Sequence, residues 1–403
     1  MGHGVHIPAP EAADLPDGHI FTRVPNILFG TAVVALLGAW FTAHDGHQFA
    51  FSYLTAFLYA LSLCLGSLFF VLIQHAGRAA WSVVVRRTAE HLAGVLPWMA
   101  ILFIPIFLWR HDLYHHWMGA HAHDDPILAG KAAFLNEGFW IQRAALYFIA
   151  WAVMGWFLRR KSIQQDLVGG TKATYALERW SYRFIPIFAF TLTFAAFDWA
   201  MSLDPHWFST MWGVYYFAGA VVSGFAIITV ITIAQLRTGL VGEYVNIEHI
   251  HDLGKLVFAF TIFWTYIAFS QYFLIWYSNI PEETSWFHHR TGNSWETLGV
   301  ILILCHFVLP FIFLLSRWRK RNWKTLLPAA IWMLCFHYLD LYYMVMPASP
   351  EGHHGLSLSV SDILCVIALT GVTIGVALIN MRGNKLVPVQ DPRLPEALAH
   401  VNF

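Results

Sequence analysis

Ten long runs of apolar residues constrain this sequence more than any other feature. A helix that crosses a bilayer needs about 20 mostly apolar residues, and each run is close to that length. In lipid only helices and closed barrels satisfy every backbone polar group, and the short alternating segments of a barrel are absent from the sequence. The chain is therefore predicted to be an all-α integral membrane protein with ten transmembrane helices. The predicted spans are 26–43, 49–74, 92–109, 139–158, 184–203, 210–236, 256–279, 297–316, 326–346 and 359–380.

The composition agrees with a membrane protein. Hydrophobic residues make up 58% of the 403 positions and charged residues only 12%, which is unlike a soluble domain. The formal net charge is +0, so nothing points to a nucleic-acid partner. Residues 1–25 are polar and contain no apolar core of a cleavable signal peptide. We therefore expect a polar N-terminal segment, a membrane domain over 26–380 and a polar C-terminal tail over 381–403.

Lysine and arginine predict the orientation of the helices. Ten spans place both termini on the same side of the membrane, together with the loops that follow spans 2, 4, 6 and 8. That side carries 20 of the 24 basic residues. Basic residues accumulate in cytoplasmic loops, so both termini are predicted to be cytoplasmic. The opposite side receives only Arg110, Lys131, Arg143 and Arg290.

A short echo links the fifth and ninth spans. The fifth contains "FDWAMSLDP" and the ninth "LDLYYMVMP", and each places an Asp seven residues before a Pro. The two acids, Asp198 and Asp340, are 142 residues apart. Repeated helical units are common in membrane proteins. The echo predicts two four-helix bundles, spans 2–5 over about 49–203 and spans 6–9 over about 210–346, with spans 1 and 10 peripheral.

Ionisable side chains in or near the spans are the candidates for function, because a charge in hydrocarbon costs about 2.5–3.5 kcal/mol on insertion scales. Acids and histidines at several depths suit a proton relay, since imidazole titrates near neutral pH and a buried carboxyl can hold a proton. His337 and Asp340 are three residues apart and are expected to share a helix face and to be able to form a hydrogen bond. The candidate proton-path residues are Asp198, Asp340, His337, His306, His249, His251, Asp252, Lys255, Glu90 and His91.

Other uses of these residues remain open at this point. Each could be a paired polar group that holds helices together. His306 and His337 could bind a b-type haem, although no second matched pair occurs, and the loop Arg110 to Asp125 could hold a divalent metal. No catalytic, cofactor or metal residue is assigned, because no phosphate loop, nucleophile triad, dinucleotide fingerprint or C-x-x-C occurs. An independent proton-coupled transporter is a further alternative.

Three segments resemble the ActF subunit family of bacterial alternative complex III. They are "FDWAMSLDPHWFSTMWGVYYFAGA", "HDLGKLVFAFTIFWTYIAFSQYFLIWYSNIPEET" and "FHYLDLYYMVMP". That complex is a quinol:cytochrome c, or high-potential acceptor, oxidoreductase. The subunit is similar to NrfD and polysulfide-reductase membrane subunits, which are built around two four-helix bundles.

The resemblance implies a subunit of the bacterial inner membrane that has a scaffolding and proton-conducting role and is not catalytic alone. It implies no cofactor on this chain. The implied partners are a sister membrane subunit that binds quinol, an iron–sulfur subunit, subunits with c-type haems, lipids and a terminal oxidase. The alternative within this class is that the chain itself binds quinol and takes part in the redox reaction.

Overall fold

The computed structural model describes residues 6–119 and 122–402. Ten helical segments in this part of the chain are long and apolar enough to span a membrane, which confirms the ten predicted spans, and no strand occurs there. The ten segments are α1 Ile20–Thr42, α2 Gly46–Ala76, α3 Ala80–Leu108, α4 Glu137–Val168, α5 Lys172–Leu203, α6 Trp212–Arg237, α7 Ile247–Ser278, α8 Ser294–Leu315, α9 Trp323–Ala348 and α10 Val360–Met381.

Several helices begin before their apolar runs because polar caps extend them. α7 begins at Ile247, where the Asn246 side chain accepts hydrogen bonds from the backbone N–H groups of Glu248 and His249. The His249 ring in turn accepts from the Asn246 N–H. Such a reciprocal cap satisfies backbone donors that would otherwise lack partners. The polar residues that precede the apolar run are therefore part of the helix.

Two membrane segments are irregular. α3 consists of three short helices, Val83–Ala93, Leu96–Leu102 and Ile104–Leu108, and a proline lies in the first turn of each of the last two. A proline has no N–H to donate, so it fits the first turn of a helix, where that N–H would have no partner in the helix, and costs a hydrogen bond farther in. In α8 the residues Ile303–Val308 form a π-helical turn just before Pro310. The wider π-helical turn relieves the clash that the Pro310 ring would otherwise make with the preceding turn of the helix.

The centre of the domain is the contact between α2 and α6. A Cβ atom on Gly66 of α2 would lie 1.9 Å from the carbonyl oxygen of Ala220 in α6, so only glycine permits this approach. α2 also packs on α3, α5 and α10, while α6 packs on α5, α7 and α9, and α1 packs along α10. The division into two four-helix bundles stays a prediction, because the extensive contact between α2 and α6 joins the two predicted halves.

Both terminal segments pack against the same end of the helical domain. The Leu386 N–H donates to the Ala13 carbonyl over 2.7 Å, and Val387, Leu394 and Ala397 are buried. The expected polar tail is thus fixed to the domain. We call this the termini end and the opposite one the loop end. Which end faces the cytoplasm stays a prediction.

Candidate proton-transfer site

Asp340 is a buried carboxyl that receives hydrogen bonds only from neutral groups. It lies in α9 and is 1% exposed. The Tyr215 hydroxyl of α6 donates to Oδ1 over 2.5 Å, and the Trp264 indole N–H of α7 donates to Oδ2 over 2.9 Å. No basic side chain among the described residues forms an ion pair with Asp340. An unpaired buried charge is costly, so this site favours a carboxyl that can take up a proton.

His337 lies one turn before Asp340 and shares its helix face, as predicted. The hydrogen bond considered between them is absent. His337 Nε2 lies 2.9 Å from the Ser62 hydroxyl of α2, and that hydroxyl donates its one proton to the Tyr59 carbonyl. Among the described residues, His337 Nδ1 has no hydrogen-bond partner.

Gly219 of α6 makes room for both side chains. A Cβ atom there would lie 2.6 Å from His337 Cε1 and 3.7 Å from Asp340 Oδ2. The first distance is a clash, so any larger residue would displace the imidazole. A glycine at this position thus lets α6 approach the His337–Asp340 face closely.

His306 lies on the π-helical turn of α8 and is fully buried. Neither ring nitrogen has a hydrogen-bond partner. The ring packs on Trp264 with centroids 4.0 Å apart, and its centroid is 6.5 Å from that of His337. π-Helical turns occur frequently at functional sites, and buried polar atoms without partners require an explanation.

Side chains from α2, α6, α7, α8 and α9 thus converge on one polar cluster. We call it the Asp340 cluster: Asp340, His337, His306, Tyr215, Trp264 and Ser62. It brings together three residues predicted from the sequence. Ser62 was not singled out, since a lone hydroxyl in a span carries no distinctive signal.

Asp198 has a different environment from Asp340. Arg143 of α4 binds both carboxylate oxygens, with Nε 2.8 Å from Oδ2 and Nη2 2.7 Å from Oδ1. The Tyr147 hydroxyl donates a third hydrogen bond over 2.7 Å. A bidentate pair with an arginine keeps a carboxylate charged. Asp198 is therefore a paired structural anion in this arrangement, and Arg143, counted at first only as an orientation signal, is its partner.

The candidates on α7 lie far from the Asp340 cluster. Asp252 forms an ion pair with Lys255 and a hydrogen bond with the His400 ring, and His249 both caps the helix and lies 3.0 Å from the Ala397 carbonyl. His251 lies near Glu248. Along the helix, Asp252 is about 18 Å from Trp264. The buried residues between them are apolar or, like Thr261, bonded to their own helix, so α7 itself provides no continuous polar path.

Glu90 and His91 belong to a buried ionic network at the termini end. Glu90 forms ion pairs with both Arg86 and Arg87. Arg86 also pairs with Asp391, and Arg87 also pairs with Asp166. His91 Nδ1 accepts a hydrogen bond from Arg159 over 3.4 Å. Glu90 and His91 were expected at the end of the third span, but they lie within α3, which begins at Ala80. The two partner acids come from segments outside the apolar runs and could not be paired from sequence.

A cavity of about 190 Å³ lies at the loop end, beside the Asp340 cluster. Trp212 lines the cavity and is buried, and its indole N–H has no partner among the described residues. Its ring centroid is 6.1 Å from that of Tyr215.

Arg290 also lines the cavity and donates to the Trp286, Tyr343 and Met344 carbonyls. Burial lowers the pKa of Arg290 to about 10, so the side chain stays cationic at neutral pH. Sequence reasoning did not find this cavity.

The described residues contain no group of three or more His, Cys, Asp or Glu side chains arranged to hold a metal ion. Residues 120 and 121 of the histidine-rich loop considered as a metal site lie outside the described residues. No family model and no curated protein matches the chain.

Proposed function

We propose that this chain is a proton-carrying membrane subunit of a quinol-oxidising respiratory complex of the alternative complex III type. In this proposal the Asp340 cluster holds and releases the proton. The quinol chemistry and the electron carriers belong to partner subunits, which this chain scaffolds in the bacterial inner membrane. The chain is not an enzyme by itself.

The observation that carries the proposal is that no cation among the described residues pairs with Asp340. A carboxylate that accepts only from Tyr215 and Trp264 lacks the compensation that Arg143 gives Asp198. His337 Nδ1 and the two nitrogens of His306 lie in the same cluster and have no other hydrogen-bond partner. These atoms are suited to pass a proton through intervening water.

The segments that resemble the ActF family coincide with this cluster. The first contains Tyr215 and Gly219, the second contains Trp264, and the third contains His337 and Asp340. Three stretches that are distant in sequence thus supply the carboxyl, its two donors and the adjacent histidine. This coincidence supports assigning the family and the proton-carrying role together.

A second candidate function is binding of a quinol head group by this chain. The loop-end cavity favours it, because Trp207, Trp212 and Trp286 line the cavity and Trp212 offers an unpartnered indole N–H. Flat aromatic walls with a few polar groups are typical of sites for planar ligands. In that case Asp340 would accept a proton from the bound quinol through the Tyr215 hydroxyl, which would give its own proton to Asp340 as it takes one from the quinol, and the electrons would pass to the carriers of partner subunits.

The test compares Asp340→Asn with Asp362→Asn in the assembled complex. Both carboxyls are buried, but Asp362 caps α10 and accepts from the Ser52 hydroxyl over 2.5 Å. Complexes are checked for unchanged subunit composition and reconstituted in sealed vesicles. Quinol oxidation and proton movement per electron are then measured together.

We expect Asp340→Asn to lower transmembrane proton movement about tenfold or more, the scale of a lost acid–base group, and to leave quinol oxidation within about twofold. Asp362→Asn should change thermal stability more than proton movement. Unchanged proton movement in Asp340→Asn would refute the proposal. Loss of quinol oxidation with assembly intact would favour the second candidate.

A further inference from the structure

The last residues of the chain cover the first turns of α7. The His400 ring nitrogen Nε2 lies 2.6 Å from Asp252 Oδ2. Asn402 accepts from the Lys255 ammonium over 2.7 Å, and its amide donates to the Glu248 carbonyl over 3.3 Å. Each contact joins positions about 150 residues apart, so only the folded tail brings them together.

His400 lies between solvent and Asp252. Its side chain is 26% exposed, whereas the Asp252 side chain is only 7% exposed. One ring nitrogen is held by the carboxylate, which leaves the other for exchange with solvent. Imidazole can accept a proton at one nitrogen while it donates from the other.

We propose that His400 is the residue through which protons enter the chain at the termini end, and that Asp252 holds its ring in place and takes up the proton that the ring releases. This inference rests on the proposed proton-carrying function. A proton from water adds to Nδ1 of the neutral ring and gives an imidazolium beside the Asp252 carboxylate. Loss of the Nε2 proton to Asp252 restores a neutral ring and leaves the proton on the Asp252 carboxyl.

The charged and titratable groups around His400 come from two elements. α7 contributes Asp252, Lys255, Glu248 and His249, whose ring centroid is 5.8 Å from that of His400. The segment after α8 contributes Arg317, which donates to the Asn402 carbonyl over 2.9 Å, and Arg321, which pairs with Glu248. Asp252 is the acid bonded to His400, and Lys255 occupies its other oxygen. The Asp252 carboxylate therefore contacts the Lys255 ammonium with one oxygen and the His400 ring with the other.

The test uses variants that separate proton exchange from anchoring of the tail. His400→Ala removes the titratable ring, and His400→Gln keeps a hydrogen-bonding side chain that cannot take up a proton. Asn402→Ala is the matched control, because it removes tail contacts to Lys255 and Glu248 without removing a titratable group. Proton uptake is measured in vesicles that contain the assembled complex, with and without millimolar imidazole in the medium.

We expect both His400 variants to lower the rate of proton uptake about tenfold, with subunit composition unchanged. Added imidazole should restore most of the rate in His400→Ala, whose missing ring leaves space for it, and Asn402→Ala should stay within about twofold of the unmodified complex. An equal loss in Asn402→Ala, or no rescue by imidazole, would show that the tail acts only as an anchor and would overturn the inference.

Asp340→Asn distinguishes this inference from the function on which it rests. If Asp340→Asn blocks proton movement while His400→Ala and His400→Gln are normal, the role of His400 is refuted and the proposed function stands. If Asp340→Asn has no effect, the proposed function itself is refuted.

Discussion

Arg143 holds both carboxylate oxygens of Asp198 at 2.7 and 2.8 Å, while Asp340, the equivalent acid of the sequence echo, pairs with no cation in the part of the chain that the structure describes. The Arg143 guanidinium also packs on the rings of Phe134 and Phe139, at 3.9 and 4.2 Å from their centroids. Two acids with the same spacing to a following proline therefore have opposite electrostatic environments. The Asp198 environment suits stability, and the Asp340 environment suits a change of protonation.

Replacement of Arg143 by Leu should destabilise the protein strongly. It would leave Asp198, which is 0% exposed, as an unpaired buried charge, and breaking such a pair costs about 3–5 kcal/mol. Thermal unfolding of the purified protein in detergent measures the loss. Arg110→Leu is the control, because the Arg110–Glu137 pair is partly exposed and should contribute less than about 1 kcal/mol.

The double variant Arg143→Leu with Asp198→Leu should recover much of that stability, since no charge is then left without a partner. If Arg143→Leu were as stable as the unmodified protein, Asp198 would have to be neutral in the fold, contrary to the ion pair described above.

Substitution of Gly219 by Ala should disturb the Asp340 cluster. The new Cβ would lie 2.6 Å from His337 Cε1, and overpacking of this kind costs about 1–3 kcal/mol. We expect lower proton movement in vesicles and a lower unfolding temperature. Gly30→Ala in α1 is the matched control, because no atom lies within 4 Å of its added Cβ. Normal proton movement in Gly219→Ala would mean that the position of His337 does not matter for transfer.

Replacement of His306 by Phe should raise stability and lower proton movement at the same time. Phe can keep the packing on Trp264 and removes two buried nitrogens that have no partner. Each unsatisfied group costs about 1–3 kcal/mol. Thermal unfolding and vesicle assays on one preparation test both effects. A decrease in stability would indicate that His306 has a structural polar partner, such as a bound water.

The loop-end pair of Asp125 and His206 should respond to acid. The hydrogen bond with His206 lowers the pKa of Asp125, and the Ile127 backbone N–H acts in the same direction. Because the folded pKa lies below the unfolded one, the pair stabilises the loop above the unfolded pKa and this contribution is lost as pH falls through the folded value. NMR of labelled aspartate carboxyls should show the Asp125 pKa rising in His206→Gln. In His288→Gln, a change at an exposed histidine elsewhere in the loops, it should not move.

Much of the fold could be predicted from the sequence because the bilayer limits what a chain can do. Each span must be long, apolar and helical, so ten apolar runs already indicate ten helices. The helix ends were less predictable. The cap at Asn246 and the three short helices of α3 depend on local hydrogen bonds and proline positions that a count of apolar residues does not record.

The sequence by itself determined the class of the protein, the number of spans and the acids and histidines that had to be explained. Only the tertiary structure decided which of them are paired. The partner of Asp198 is 55 residues away, and the two donors to Asp340 are 125 and 76 residues away, each on a different helix. Hydropathy depends on the residues along one helix, whereas the partners of a buried acid come from neighbouring helices, so the difference between the ion-paired Asp198 and the neutral surroundings of Asp340 follows from the packing.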